Sequence, residues 1–182
     1  MLGTIPNQIT LARIACVPLF MFLVLLGGKV PTILALALFS LAAISDAVDG
    51  YIARSFKQTT LFGKFADPIA DKLLVVAALV SFVQLGELTA APVMVIIARE
   101  FLVTGLRILA IAQGEVIAAS LFGKLKTISQ IGLVLMVLVD RLSAWGEPGK
   151  NAKAGFLYLA ITLSLVSAGE YFYRARRLFV LK

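Results

Sequence analysis

Six apolar stretches, at residues 9–26, 32–53, 66–85, 93–112, 125–142 and 155–173, alternate with short polar joints along the chain. Each approaches the roughly 20 residues that a helix needs to cross a hydrocarbon layer about 30 Å thick. In that medium a spanning segment must satisfy its own backbone donors and acceptors, and a helix does so. The joints carry breakers: Gly27-Gly28-Lys29 before Pro31, Gly86-Glu87 before Pro92, Gln113-Gly114, and Trp145-Gly146-Glu147-Pro148-Gly149. The composition agrees, at 60% hydrophobic and only 15% charged over 182 residues, where soluble domains run near 45–50% and about 25%. The fold expected is an all-α integral membrane protein of six transmembrane helices, in a single domain over residues 1–182. The third and fifth stretches are short of strictly apolar residues, so their ends are expected to enter a protein-lined or watery region. The N-terminal residues have neither a basic n-region nor a small-residue cleavage site, and no cleaved signal peptide is expected.

Lysine and arginine placement sets the orientation. The second and fourth joints and the C-terminus hold Arg54, Lys57, Lys64, Lys124, Lys126, Arg174, Arg176, Arg177 and Lys182; the other joints hold Lys29, Arg141, Lys150 and Lys153. Both termini and the even joints are therefore expected in the cytoplasm. The net charge of +7 then faces the anionic lipid headgroups of an inner membrane leaflet. Nothing in the pattern calls for nucleic acid.

The chain has no histidine and a single cysteine, Cys16, inside the first apolar stretch. Disulfides, cysteine-based zinc sites and imidazole chemistry drop out together. What remains is carboxylates, hydroxyls, Arg and Lys, and four of the carboxylates stand close together. The run reads Asp46-x-x-Asp49-Gly50-x-x-Ala53-Arg54, then eight residues, then Gly63-x-x-x-Asp67-x-x-x-Asp71. On helices, i,i+3 and i,i+4 spacings put both members of each pair on one face. Asp46 falls about 21 Å along its helix from Thr32, inside the inner leaflet. An ionised Asp at a helix centre costs about 2.5–3.5 kcal/mol on insertion scales, so four demand compensation. Divalent metal in a cavity open to the cytoplasm supplies it; salt bridges to Arg54, Lys64 and Lys72 are the competing reading, which leaves the regular spacing unexplained. All-oxygen ligation suits Mg²⁺ or Mn²⁺, and two such ions can clamp a displacement at phosphorus. Gly50 and Ala53 continue the carboxylate face one turn on, leaving a flat slot beside Arg54 for something bulky and phosphate-bearing.

The pattern D-x₂-D-G-x₂-A-R-x₈-G-x₃-D-x₃-D is met at every specified position and resembles the signature of the CDP-alcohol phosphotransferase family. The resemblance implies six helices, a homodimer, and Mg²⁺-dependent (sometimes Mn²⁺-dependent) transfer of a substituted phosphate from a CDP-linked donor to an alcohol, with release of CMP. It implies that Asp46, Asp49 and Asp67 are metal ligands, that Asp71 binds metal and takes the acceptor's proton, and that Gly50, Ala53 and Arg54 form the CMP pocket. The family's N-x-x-T-x-x-R element is matched by Asn7, Thr10 and Arg13. Thr10 and Arg13 are then expected at the nucleotide, although Arg13 also fits a snorkelling anchor.

The acceptor is read from positive charge. Arg99 and Arg107 lie about 80° apart around a helix and about 12 Å along it, on one broad side, and Lys124 and Lys126 follow in the next joint. Arg and Lys bind phosphate well, which favours an acceptor that already carries one: sn-glycerol 3-phosphate first, inositol phosphate next, ahead of inositol, serine or a cationic alcohol such as choline. Ile5-Pro6-Asn7, Ala98-Arg99-Glu100 and the compact length resemble the bacterial subgroup that uses CDP-diacylglycerol and sn-glycerol 3-phosphate. Against this, Arg99-Glu100 also reads as an intramembrane ion pair, and Lys124 and Lys126 as solvated charges. From other classes, a membrane prenyltransferase or a divalent-cation carrier would also place acids on membrane helices. The first would want two motifs and more spans; the second would want its acids mid-helix.

Overall fold

Helices form on all six apolar stretches: α1 (Ile5–Leu26), α2 (Lys29–Ile52), α3 (Leu61–Gln84), α4 (Ala90–Ala112), α5 (Leu121–Ser143) and α6 (Glu147–Ala175). The computed structural model describes the backbone of residues 5–52, 61–114 and 120–176, and side chains over 12–45, 72–114 and 120–176. The helices start three to eight residues before the apolar stretches do, because polar residues, proline or glycine occupy their first turns. The largest difference is α6, which begins inside the Trp145–Gly149 joint. Gly146, at φ 66°, precedes the helix, Pro148 stands in its first turn, and Lys150 N–H donates to the Gly146 carbonyl at 3.1 Å. Proline is favoured in a first turn, where its missing donor has no partner to lose, so Glu147-Pro148 starts a helix as well as ending a loop.

The chain divides into two compact units: Met1–Leu88 with Val137–Trp145, and Thr89–Met136 with Gly146–Lys182. In the first, α1 packs against both α2 and α3. Its core is Phe20 and Val24 from α1, Ala35 and Phe39 from α2, and Leu74, Ala77, Ala78, Leu79 and Phe82 from α3, all buried. The rings of Phe20 and Phe39 meet at 5.8 Å between centroids. The α1–α2 turn is two residues long, with Gly27 and Gly28 at φ 72° and 83°; two successive left-handed residues are what glycine supplies without strain. Arg141, near the end of α5, donates to the Val24 carbonyl at 3.4 Å and lies 3.7 Å from Glu87. The C-terminal ends of α1, α3 and α5 therefore meet, as an up-and-down order requires.

In the second unit α4 packs on α6 through Val103, Leu106, Tyr171 and Ala175. Arg99 reaches Ser164 and Ser167, while Arg107 reaches Tyr171, so α4 and α6 run parallel. On α5, Gln130 touches Ser164, and Gly132 backs onto Phe156; α5 is antiparallel to α6. A Cβ at Gly132 would fall 2.9 Å from the Phe156 ring, so glycine is what lets these two helices approach.

The outer surface differs from that of a water-soluble bundle, and polar groups are buried beside the apolar core. Phe22, Leu26, Leu41, Ile44, Met94, Phe101, Leu102, Ile111, Ile128 and Tyr158 are exposed, whereas Ser81, Arg99, Glu100, Lys126, Ser129, Gln130, Ser164 and Ser167 are buried. Outward apolar surface on this scale marks contact with something apolar. α5 and α6, 23 and 29 residues long, are apolar and long enough to cross a bilayer. The expectation that the fifth stretch enters a protein-lined region holds, since its first half buries Lys126, Ser129 and Gln130.

Candidate active site

Asp46, Asp49 and Gly50 lie in the last two turns of α2, and Gly63, Asp67 and Asp71 in the first three turns of α3. Both carboxylate pairs are thus on helical backbone, the condition under which each spacing brings its two members to one face. The two helices pack on α1, and the motif occupies the ends that adjoin their connection, residues 53–60. Ala53 and Arg54 lie outside the described residues, as do the side chains of Thr10, Asp46, Asp49, Asp67 and Asp71. Arg13 is partly buried on α1.

Helical placement sharpens the charge problem. A helix C-terminus carries a partial negative charge that disfavours acids and favours cations. The last turn of α2 contains Asp49 and no basic residue. Among the described side chains, no three acids, cysteines or histidines gather, so the metal-site reading rests on Asp46, Asp49, Asp67 and Asp71. A donor set of carboxylates alone, without sulfur or imidazole, fits a hard divalent cation.

The predicted acceptor residues fall in the second unit, and three of the four join one polar network. Glu100 Oε1 accepts from Arg99 Nη1 at 3.0 Å, from Gln130 Nε2 at 3.4 Å and from the Lys126 ammonium. Arg99 also donates from Nε to the Ser164 carbonyl at 3.1 Å and from Nη2 to Ser167 Oγ at 2.5 Å. Gln130 donates to Ser164 Oγ at 3.3 Å, and Ser167 Oγ to the Ser164 carbonyl at 3.1 Å. Arg107 donates to the Tyr171 hydroxyl, and its guanidinium carbon lies 4.8 Å from that ring's centre; Arg99 lies 5.9 Å from the same ring. Arg107 Nε is buried without a hydrogen-bond partner. Lys124 is exposed.

The shared side expected for Arg99 and Arg107 is therefore real, and Tyr171 stands between them. The Arg99–Glu100 ion pair exists as well. Four members of the network were not singled out in the sequence: Gln130, Ser164, Ser167 and Tyr171. A signal was present, since Gln130 is one turn from Lys126, and Ser164, Ser167 and Tyr171 form an i, i+3, i+7 stripe through an otherwise apolar helix.

Comparison with known proteins bears on what the motif does. A model of the CDP-alcohol phosphatidyltransferase family matches residues 3–168. The CDP-diacylglycerol–glycerol-3-phosphate 3-phosphatidyltransferase of Bacillus subtilis (strain 168) is 44% identical over 184 residues, covering 92% of this chain and 93% of that protein. Proteins of the same name from Rickettsia bellii (strain RML369-C) and Sodalis glossinidius (strain morsitans) are 36% and 35% identical over 183 and 176 residues. They cover 96% and 94% of this chain and 97% and 94% of their own lengths. The fold and motif thus define a helical, membrane-type transferase of substituted phosphates. The chain belongs to the CDP-alcohol phosphatidyltransferase family. Membership sets aside the prenyltransferase and cation-carrier readings.

Proposed function

We propose that this protein is an enzyme of the phosphatidylglycerophosphate synthase type. It transfers the phosphatidyl group of CDP-diacylglycerol to sn-glycerol 3-phosphate, giving phosphatidylglycerol phosphate and CMP. The observation that carries the reading is the complete aspartate pattern on the adjoining ends of α2 and α3, in a chain that aligns over 92% of its length with a transferase named for those substrates.

The 1-hydroxyl oxygen of glycerol 3-phosphate forms a bond to the β-phosphorus of the donor, and the bond from that phosphorus to the bridging oxygen breaks, so CMP leaves with the bridging oxygen. Asp71 takes the hydroxyl proton as general base. Two divalent ions, Mg²⁺ or alternatively Mn²⁺, would be held by Asp46, Asp49, Asp67 and Asp71 and would supply charge neutralisation on the diphosphate and the departing CMP. Gly50 and Ala53 keep the cytidine side of the slot free of bulk, and Arg54, Thr10 and Arg13 hold the nucleotide and its phosphates. Arg107, Lys124 and Lys126, with Arg99 behind them, supply the positive charge that selects an acceptor already bearing phosphate.

All six helices cross the bacterial inner membrane with both termini cytoplasmic, as one catalytic domain over residues 1–182, functioning as a homodimer. The soluble acceptor then reaches the site from the cytoplasm while the lipid tails enter sideways from the bilayer. The test is an acceptor panel: purified protein in detergent with Mg²⁺ and CDP-diacylglycerol, offered labelled sn-glycerol 3-phosphate, inositol phosphate, inositol or serine. Phosphatidylglycerol phosphate formation with equimolar CMP is expected from the first alone. Faster transfer to any of the others would overturn the acceptor assignment and leave the family chemistry standing.

A further inference from the structure

The outward side of α6 changes character toward its C-terminal end. From Gly155 to Tyr173 the helix rises about 27 Å, close to the roughly 30 Å of a hydrocarbon core. Leu159, Val166 and Tyr173 are exposed and follow one another at heptad spacing, so they fall within about 40° around the helix. The apolar surface gives way there to charge. Phe172, Tyr173, Arg174 and Arg176 are all exposed in the last turns, beside the buried Tyr171 and Ala175. The two cations are held differently. Arg174 donates from Nη2 to Glu170 Oε1 at 2.5 Å, one turn back on the same helix. Arg176 lies over the face of Tyr173, its guanidinium carbon 4.3 Å from the ring centre. Among the described residues the Arg176 side chain makes no hydrogen bond or ion pair. Stacking engages the face of a guanidinium, so the N–H donors in its plane are not spent by it.

We infer that this end of α6 is a binding site for an anionic glycerophospholipid, with the headgroup phosphate on Arg176 and the acyl chains along Val166 and Leu159. Tyrosine is favoured where hydrocarbon meets the headgroups, since its ring is apolar and its hydroxyl is not. Its ring here also sets the direction of the guanidinium, which can meet two phosphate oxygens at once. Arg174 and the adjoining Arg177 of the sequence raise the local positive charge. That favours a headgroup with net negative charge over a zwitterionic one, whose own ammonium they repel. A lipid phosphate fits better than a soluble one because the apolar stripe runs directly up to the cation. The site lies on α6 alone and is separate from the transfer reaction.

The test is lipid retention by the purified protein, followed by native mass spectrometry from detergent. A chelator is present, so that no lipid phosphate is drawn to a metal at the aspartate motif, and no donor substrate is added. Phosphatidylglycerol and phosphatidylcholine of the same acyl chains are titrated in turn. Phosphatidylglycerol should be retained the more tightly, and Arg176→Gln should weaken its retention about fivefold, the attraction of one surface cation to an anionic leaflet. Retention of phosphatidylcholine should not change. Tyr173→Leu keeps the apolar bulk and removes the ring; it should weaken phosphatidylglycerol retention about threefold, the value of an exposed cation–π contact. Tyr173→Phe keeps the ring and should match the parent. Lys150→Gln removes a cation near the other end of α6, where Lys150 pairs with Glu147 at 2.7 Å, and should change nothing. The substituted side chains are exposed, so each variant should unfold at the parent's midpoint. Equal retention of the two lipids, or unchanged retention of phosphatidylglycerol in Arg176→Gln, would overturn the site. Equal loss in Tyr173→Phe and Tyr173→Leu would overturn the role of the ring. Displacement of the lipid by excess sn-glycerol 3-phosphate would make this a soluble-phosphate site and overturn the lipid assignment, as would a loss of lipid that occurs only with a change in oligomeric state. No turnover is measured, so failure of this inference and failure of the proposed activity are told apart.

Discussion

Replacing Arg99 separates a brace from a ligand, and the structure sets the size of the effect. Arg99→Met keeps an unbranched apolar stem of similar length and removes three bonds: 3.1 Å to the Ser164 carbonyl, 2.5 Å to Ser167 Oγ and 3.0 Å to Glu100. Orphaning a buried carboxylate can cost about 3–5 kcal/mol, but Glu100 keeps Lys126 and Gln130, so that limit is not reached. Polar contacts between membrane helices average about 0.6 kcal/mol each and reach about 1.7 kcal/mol, and a charged donor sits toward the upper end. The two that cross to α6 give a destabilisation of about 2–3 kcal/mol. Arg99→Lys is the informative companion. A lysine can reach one of the three acceptors, so as a brace it should still lose more than 1 kcal/mol; as a phosphate-binding point charge it should serve nearly as well as arginine. The assay is reversible unfolding in mixed micelles under increasing SDS, run beside the acceptor KM. Parent-like stability in Arg99→Met with a KM for glycerol 3-phosphate raised a hundredfold, and rescue of that KM by lysine, would refute the bracing argument and make Arg99 a ligand.

Two other outcomes follow from the same structure. Chelation of divalent cations should abolish transfer, and added Mg²⁺ or Mn²⁺ should restore it, with CMP release as the readout; activity that survives exhaustive chelation would remove the metal from the account. For topology, Cys16 is replaced by serine and single cysteines are introduced. A membrane-impermeant thiol reagent should label positions 28, 86 and 146 in intact cells, and positions 57 and 124 only after the membrane is opened; the reverse pattern would invert the proposed orientation.

Much of the architecture was readable in the chain because its determinants are local. Apolar runs of membrane-crossing length can only be helices, and the Gly27-Gly28 and Gly86-Glu87 breaks mark real turns. The start of α6 was misread because Glu147-Pro148 has two local meanings, and only the Gly146 geometry and the Lys150 hydrogen bond choose between them. The helical placement of the aspartate motif was legible for the same local reason, while the face its side chains share lies outside the described residues. The α4–α5–α6 network was only half legible. That Arg99 and Arg107 share a side follows from helical periodicity, but their meeting with Ser164, Ser167 and Tyr171 depends on how residues more than 60 positions apart, on α4 and α6, come together. No single-sequence pattern encodes that pairing. An isolated serine in an apolar helix reads as filler until an arginine is found against it.

The central claim is that the carboxylates at the adjoining ends of α2 and α3 perform the chemistry, with Asp71 taking the acceptor's proton. Single-turnover transfer by Asp71→Asn, with CDP-diacylglycerol and sn-glycerol 3-phosphate both saturating and the unfolding midpoint measured alongside, tests it most directly. A rate lower by about 10²–10⁴-fold is expected, the usual contribution of a positioned general base, in a protein that unfolds at the parent's midpoint. A variant that turns over at the parent's rate would contradict it.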